Sequence, residues 1–548
     1  MTKIVDLRPD RNLLNPNFEK YQFSSDTFLH KYEKSLQTEI LRRELGPTQD
    51  SYLEARLFAF HNHLFKSPYD STCWFIDKHG GIWKFTSEEL LELIHTSKTI
   101  TEISSECIYN PSMAFASQDM IVICNGSGTL EFLVQTSESL KNISIGDLDP
   151  AVILDARFIK EMSKIIVALY RIEENEGKRF SRLTFLTYDY DVTLQNLKLH
   201  QKQMLKVKGV IEYVYIEDNG RYFQIISQDQ AEFEYDSLNS IERSDGNSVT
   251  ESQINIPKYC WSQDEDSITV YMKINEKLGD TPAKVEVTPT SVSIQVGNSS
   301  LLNGDTPHRL ESDLTTWKRN GNTLEIELSK SENGLMWNEL LKGDTGGEYL
   351  PNEALADEVH SRLAHLCSSV QESNSQGHPT IGFNSEQLEE CDLSGAENIL
   401  QRINFTTHTA THIVMIGSSN RIIFCEKRNN EQVICLRHDH DGCLWSIKDS
   451  PTVEWELKHT CTYPGFGYVE ASKTNKKFCS SPPNQSFISI VEHTRHIFLY
   501  EKPRKDSTIG KQRILDLGSE SSPVLGAIST DKSLIILTKD VLYQLQVY

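Results

Sequence analysis

The sequence predicts an all-β protein: a β-propeller of about seven blades, split by an inserted β-sandwich, with a minor helix in a linker. Three observations lead there. Short apolar strands recur in groups of three or four at intervals of roughly 40–60 residues. One mid-chain stretch alternates apolar and polar residues strictly. A Ser-, Gln-, Asn- and Gly-rich stretch then separates it from a second set of grouped strands.

Residues 1–50 are polar and irregular, with helical spacing around Lys31 to Leu45, and read as an arm, a docking segment or a tail. Residues 51–250 carry the first strand groups. Cys73–Ile76, a turn at Gly80-Gly81 and Ile82–Phe85 form a hairpin. Met113–Ala116, Met120–Cys124 and Leu130–Val134 form the next group, and Ile153–Ile159, Ile165–Ile172 and Leu183–Tyr188 a third. Val210–Glu217, Tyr222–Ile226 and Ala231–Tyr235 form a fourth. Residues 386–548 resume the pattern with Ile413–Ile416, Arg421–Glu426, Gln432–Arg437 and Cys443–Ile447, and continue to Val541–Val547. The WD dipeptide is absent. Four groups before the insertion and three after cannot close separately, and together they make a ring of about seven blades. The insertion then sits in an inter-blade loop, an exposed site that tolerates it. In residues 346–385, Leu355, Val359, Leu363 and Leu366 have helical spacing, and Ser368–Gly382 has linker composition.

Residues 255–345 form the inserted sandwich. Ile268, Val270, Met272 and Ile274 alternate with polar neighbours, as do Val292, Ile294 and Val296, and Leu324, Ile326 and Leu328. Period-2 alternation buries one face of each strand and wets the other. Tyr259, Trp261 and Gln263, then Pro289–Ile294, Leu302, Gly304, Asp313, Trp317 and Trp337, resemble the CS domain of the NudC family. Paired tryptophans are common near the closing strand of that family, whereas Met336-Trp337-Asn338 stands here. Tyr259, Trp261, Gln263, Trp317 and Trp337 are read as structural, the aromatics as core, with a partner-binding aromatic patch as the alternative.

A net charge of −22 disfavours a general nucleic-acid or anionic-membrane surface. Lys473, Lys476 and Lys477 are the best local basic patch, with a solvated loop as the plainer reading. No run of about 18 apolar residues suggests a membrane span. The 11 cysteines are scattered and several lie inside apolar strands, which suits a reducing compartment, the cytoplasm with the nucleus as a second place. The sequon Asn125-Gly126-Ser127 is then unglycosylated.

Catalytic motifs are missing: no Gly-x-Ser-x-Gly, P-loop, dinucleotide fingerprint or Cys-x-x-Cys. The cluster Arg437-His438-Asp439-His440-Asp441-Gly442 has ligand-type residues, but it lies between strands and ends in Asp441-Gly442, a hairpin pair. His61 and His63 read as surface or core histidines. No catalytic residue, metal or cofactor is expected. The resemblance implies a non-enzymatic co-chaperone or adaptor, linked to the 90-kDa heat-shock chaperone and to β-propeller (WD-repeat) clients. A propeller scaffold tethered by the CS domain, and an enzyme working in the propeller channel, are the alternatives.

Overall fold

The structure is a computed structural model. It describes residues 2–547 except 26–29, 71, 87, 102–107, 137–138, 176, 192, 194–195, 242–258, 275–280, 298, 321–322, 338, 345–346, 350–397, 417–420, 429–430, 451–454 and 506. The helix expected over 353–366 and its linker lie outside the described residues. The chain forms two compact units, Met1–Glu242 with Leu366–Tyr548, and Arg243–His365.

The first unit is a seven-bladed propeller. Blade 1 is Phe65–Lys66, Cys73–Ile76, Gly81–Phe85 and Leu91–Thr96, and blade 2 runs from Ser112–Ser117 to Leu140–Ile145. Blade 3 is Val152–Ile159, Lys164–Asn175, Lys178–Asp191, Asn196–Val207 and Glu232–Asp236. Blade 4 joins Ile211–Ile216 and Tyr222–Ser227 to Ile399–Asn404 and Ala410–Met415. Blade 5 runs from Ile422–Arg428 to Leu457–Tyr463, and blade 6 from Lys476–Ser480 to Ile509–Asp516. Blade 7 is Val524–Ser529, Ser533–Thr538 and Val541–Gln546.

Seven apolar clusters close the ring, each shared by two neighbours. Trp74 and Ile82 meet Met113 and Phe115; Val122 and Phe132 meet Ile165 and Val167. Phe185 meets Phe223, Ile226 meets Ile434, and Cys435 meets Phe498. Val491 meets Ile536, and Leu537 returns the chain to Phe75 of blade 1. A blade pressed between two others buries both faces of its inner strands. Phe487–Glu492 and Ser533–Thr538 are accordingly buried at every position.

Several expectations are corrected. The N-terminal stretch is not an arm with a helix at Lys31–Leu45. His30–Ser35 is a strand, antiparallel to Val541–Gln546, and it completes blade 7. Lys3–Ile4 and Lys20–Phe23 add in parallel to blades 4 and 6. The physical reason is that three C-terminal strands leave blade 7 with an unpaired edge, and a strand edge outbids an isolated helix of that length. The insertion does not lie between blades. It divides blade 4, because Tyr222–Ser227 pairs directly with Ile399–Asn404. Ala231–Tyr235 therefore belongs to blade 3, paired with Asn196–Val207, and Ile413–Ile416 to blade 4.

A buried charge pair pins the divided blade. Arg402, from beyond the insertion, donates through Nε and Nη2 to the Glu217 carboxylate at 2.7 and 2.8 Å, and neither side chain is exposed. The guanidinium also lies 3.9 Å from the Tyr222 ring centre. Elsewhere Gly80 adopts φ +77°, and a Cβ there would fall 2.2 Å from the Ser97 carbonyl oxygen, so the blade 1 turn requires glycine. Asn125 of the sequon is buried, its amide donating to the Thr99 carbonyl.

Candidate functional site

The second unit packs a five-stranded sheet on a three-stranded one. The larger sheet runs Thr316–Asn320, Thr323–Ser329, Ser267–Lys273, Tyr259–Gln263 and Gly347–Tyr349, and the smaller Ala283–Thr288, Ser291–Val296 and Ser299–Asp305. The alternating residues Ile268, Val270, Ile294, Val296, Ile326 and Leu328 fill the space between.

Four of the five singled-out side chains are inside. Tyr259, Trp261, Gln263 and Trp337 are buried. Gln263 clamps the closing segment: its Nε2 donates to the Trp337 carbonyl at 2.7 Å, and the Trp337 N–H donates to its Oε1 at 2.8 Å. The Tyr259 hydroxyl donates to Asp344 Oδ2 at 2.8 Å; burial and that carboxylate raise its pKa. Gly304 packs closely on the core: a Cβ there would stand 3.1 Å from Leu341 Cδ1.

Trp317 corrects the expectation of a core residue: it is 45% exposed. It sits opposite Ile326 on the edge strand, so it faces the inner side of the sheet. The opposing sheet has three strands against five, and the rim strand extends past its cover. Arg319, on the same side of that strand, donates to the Thr281 carbonyl. Leu314, just before the strand, is 65% exposed, and Tyr271 is exposed on the outer face, in register with Glu325 and its ion-pair partner Lys318. Among the described residues no strand pairs with the outer side of Thr316–Asn320. The rim thus combines a free strand edge with a large ring, a combination suited to protein contact. Strand register alone could not reveal it, because alternation marks a side of the sheet and not how far the other sheet reaches.

The propeller offers a second candidate, a central cavity of about 340 Å³ lined from all seven blades. Its charges are matched. Lys66 pairs with Glu426 and donates to the Ser529 carbonyl; Lys427 pairs with Asp155 at 2.5 Å and donates to the Ala156 carbonyl. Burial pushes the Lys427 ammonium down to about 8 against the pull of Asp155. No group of three or more metal-ligating side chains occurs among the described residues.

The His438–Asp441 cluster does not line that cavity. It is a hairpin in blade 5 whose turn is Asp439-His440, with His438 in register with Asp441, so Asp441-Gly442 opens the next strand instead of forming the turn. Asp439 takes the left-handed conformation at φ 53°, which aspartate tolerates. Burial opposes the charge on His440, but Asp441 and Asp439 hold its pKa up to about 9. The His61 and His63 rings stack edge-on at 4.5 Å. The lysine patch is neither basic surface nor solvated loop. Lys473 is buried with its ammonium 4.0 Å from the Phe498 ring centre, Lys476 pairs with Glu470, and Lys477 donates to the Val524 carbonyl.

The model of the CS domain family matches residues 257–330, the body of this sandwich. Mouse and Xenopus laevis NudC domain-containing protein 1 are each 27% identical to the chain, over 99% of its length and 98% of theirs. Residues 257–330 match the CS domain, and the chain is similar over 99% of its length to NudC domain-containing protein 1. The resemblance drawn from Tyr259, Trp261 and Trp337 is thereby borne out. Among solved structures, a nuclear movement protein from E. cuniculi is 20% identical over 15% of this chain and 98% of its own, at a TM-score of 0.14. The WD40 domain of SCAP from fission yeast is 10% identical over 96% of this chain and 97% of its own, at 0.35. The propeller assignment rests on the sheet order and the closed ring of seams.

Proposed function

We propose that this protein is a non-enzymatic co-chaperone or adaptor. It holds β-propeller client proteins in connection with the 90-kDa heat-shock chaperone, in the cytoplasm and nucleus. The observation that carries the reading is the exposed Trp317 on Thr316–Asn320, an edge strand of the sandwich. A rigid sheet whose edge strand carries an exposed ring suits capture of extended or partly folded chains. The matched charges of the channel and the hairpin role of His438–Asp441 favour a binding role over the enzymatic alternative. The described cysteines Cys73, Cys124, Cys425, Cys435, Cys443, Cys461 and Cys479 are free, which suits a reducing compartment.

The test uses the full chain, immobilised, with purified 90-kDa chaperone and a purified WD-repeat propeller as probes. Capture of either that falls with Trp317→Ala, and that weakens as salt shortens the Debye length to about 8 Å and below, supports the reading. Capture that survives both Trp317→Ala and removal of 257–330 would place binding on the host propeller, the scaffold reading. Failure to capture either probe sinks the co-chaperone reading.

A further inference from the structure

We infer that the outer edge of blade 1 is a docking site for an extended, basic segment of a partner protein, which adds there as a fifth strand. The chain itself shows how blade rims are covered. Blades 4 and 6 receive Lys3–Ile4 and Lys20–Phe23 as fifth strands, and blade 3 receives Glu232–Asp236. Blade 7 is closed by His30–Ser35. At blade 5, the segment before Arg11–Leu13 reaches the outer strand, with the Asp10 N–H donating to His459 Nδ1 at 2.9 Å. Among the described residues, blades 1 and 2 alone lack such cover.

The two bare rims differ. The outer strand of blade 2, Leu140–Ile145, shows solvent Lys141, Asn142 and Ser144, polar residues that blunt an edge. The outer strand of blade 1, Leu91–Thr96, is preceded by Leu90 and contains Leu93, 52% and 51% exposed. Phe75, Trp83 and Leu93 are in register across three strands and so share a face. Beside that face runs a groove of about 190 Å³, walled by Tyr32 and Leu36 at blade 7 and by Phe75, Trp83, Leu90 and Leu91 at blade 1. A strand pairing with Leu91–Thr96 would direct alternate side chains over Leu93 toward the groove.

Charge selects the occupant. Glu88 and Glu92 are exposed at this rim. Lys84, in register with Glu92, carries its ammonium 5.5 Å from the Trp74 ring centre. The whole chain bears −22. A second copy would bring its own Glu88 and Glu92 to the same edge, so self-pairing meets like charge. A strand alternating apolar and basic residues finds Glu88 and Glu92 at the rim and Glu89 in the groove, against the cations Lys34 and Lys84.

The test is fluorescence anisotropy of a labelled Lys-Val-Lys-Val-Lys-Val-Lys peptide with the full chain. Controls are a Lys/Ser peptide of equal charge, a Glu/Val peptide, and the Lys/Val peptide N-methylated along one edge. Saturable binding of the first, weakened about tenfold or more (~1.4 kcal/mol) by Leu93→Lys and by N-methylation, is expected. A photo-crosslinking version should mark 88–96. Equal binding of the Lys/Ser or N-methylated peptide would mean unspecific attraction to an acidic surface and overturn the proposal, as would crosslinks elsewhere or no binding. A concentration-dependent dimer abolished by Leu93→Lys would make a second copy the occupant and overturn it likewise. Leu93 is half in solvent, so its substitution leaves the blade folded; a circular dichroism melt verifies this.

Discussion

The strands of the CS unit and those of the propeller are both β, yet they are written differently. Ser291–Val296 alternates buried and half-exposed positions, because only one layer covers it. Lys164–Asn175 buries a continuous run from Ile165 to Tyr170, because blade 3 is pressed on both faces. The contrast extends to how the chain is used. The CS unit draws its eight strands from one stretch, 259–349, whereas blade 4 draws its five from 3–4, 211–227 and 399–415. Local pairing is cheap in loop-closure entropy and self-contained, and long-range pairing needs a specific lock. Arg402 and Glu217 supply one, bonded across 185 positions of sequence.

The sharpest way to break this contrast is to cut the chain. Residues 52–242 alone hold two strands of blade 4 and leave the seam between blades 7 and 1 without a partner. They should be insoluble or molten, and co-expression of 1–242, which also supplies the strands His30–Ser35, Lys3–Ile4 and Lys20–Phe23, with 398–548 should restore solubility. A soluble monomer with a sharp melt from the first half alone would end the single-ring account.

Next come single buried groups, one in each region. Arg402→Ala strands the Glu217 carboxylate and should cost about 3–5 kcal/mol of propeller stability in urea titration. The double change to Arg402→Leu and Glu217→Leu should regain most of it. Trp337→Ala should cost about 3–5 kcal/mol in the CS unit while leaving the propeller transition in place. If either substitution moved both transitions equally, the two regions would not be independent units.

Acid should then separate them. Burial pushes His61 and His412 down to about 4, and His63 well below its ordinary value. Unfolded, each titrates near 6.5, so the unfolded chain binds more protons between those values. Their contribution is full above about pH 6.5 and is lost as pH falls through about 4, on the order of 1–3 kcal/mol for the set. Melts of the full chain from pH 7 to 4 should show the propeller weakening in that window, and His412→Gln should flatten the slope. A pH-independent propeller transition would show these rings to be hydrated.

The smallest effect is expected of Trp317→Ala, below about 1 kcal/mol, since half the ring already meets water. A loss near that of Trp337→Ala would return Trp317 to the core.

By itself the sequence determined the strands of the CS unit, the family resemblance and the approximate blade number. Each depends on residues close in sequence: Ile268–Val270–Met272 alternate, Gly80 and Gly126 end strands, and Trp261 and Trp337 bracket one sandwich. Only the tertiary structure decided which strands share a blade. Ala231–Tyr235 and Ile413–Ile416 look like parts of their sequence neighbours, but hydrogen-bonding edges, not sequence order, choose partners, and so Ala231–Tyr235 folds back on blade 3. It also decided that His30–Ser35 is a strand, since an edge at the far end of the chain offers the bonds a short helix cannot match. For the candidate site, burial of Tyr259 and Trp337 follows from local alternation. Exposure of Trp317 follows from the width of the opposing sheet, a property of the assembled layers that no single strand carries.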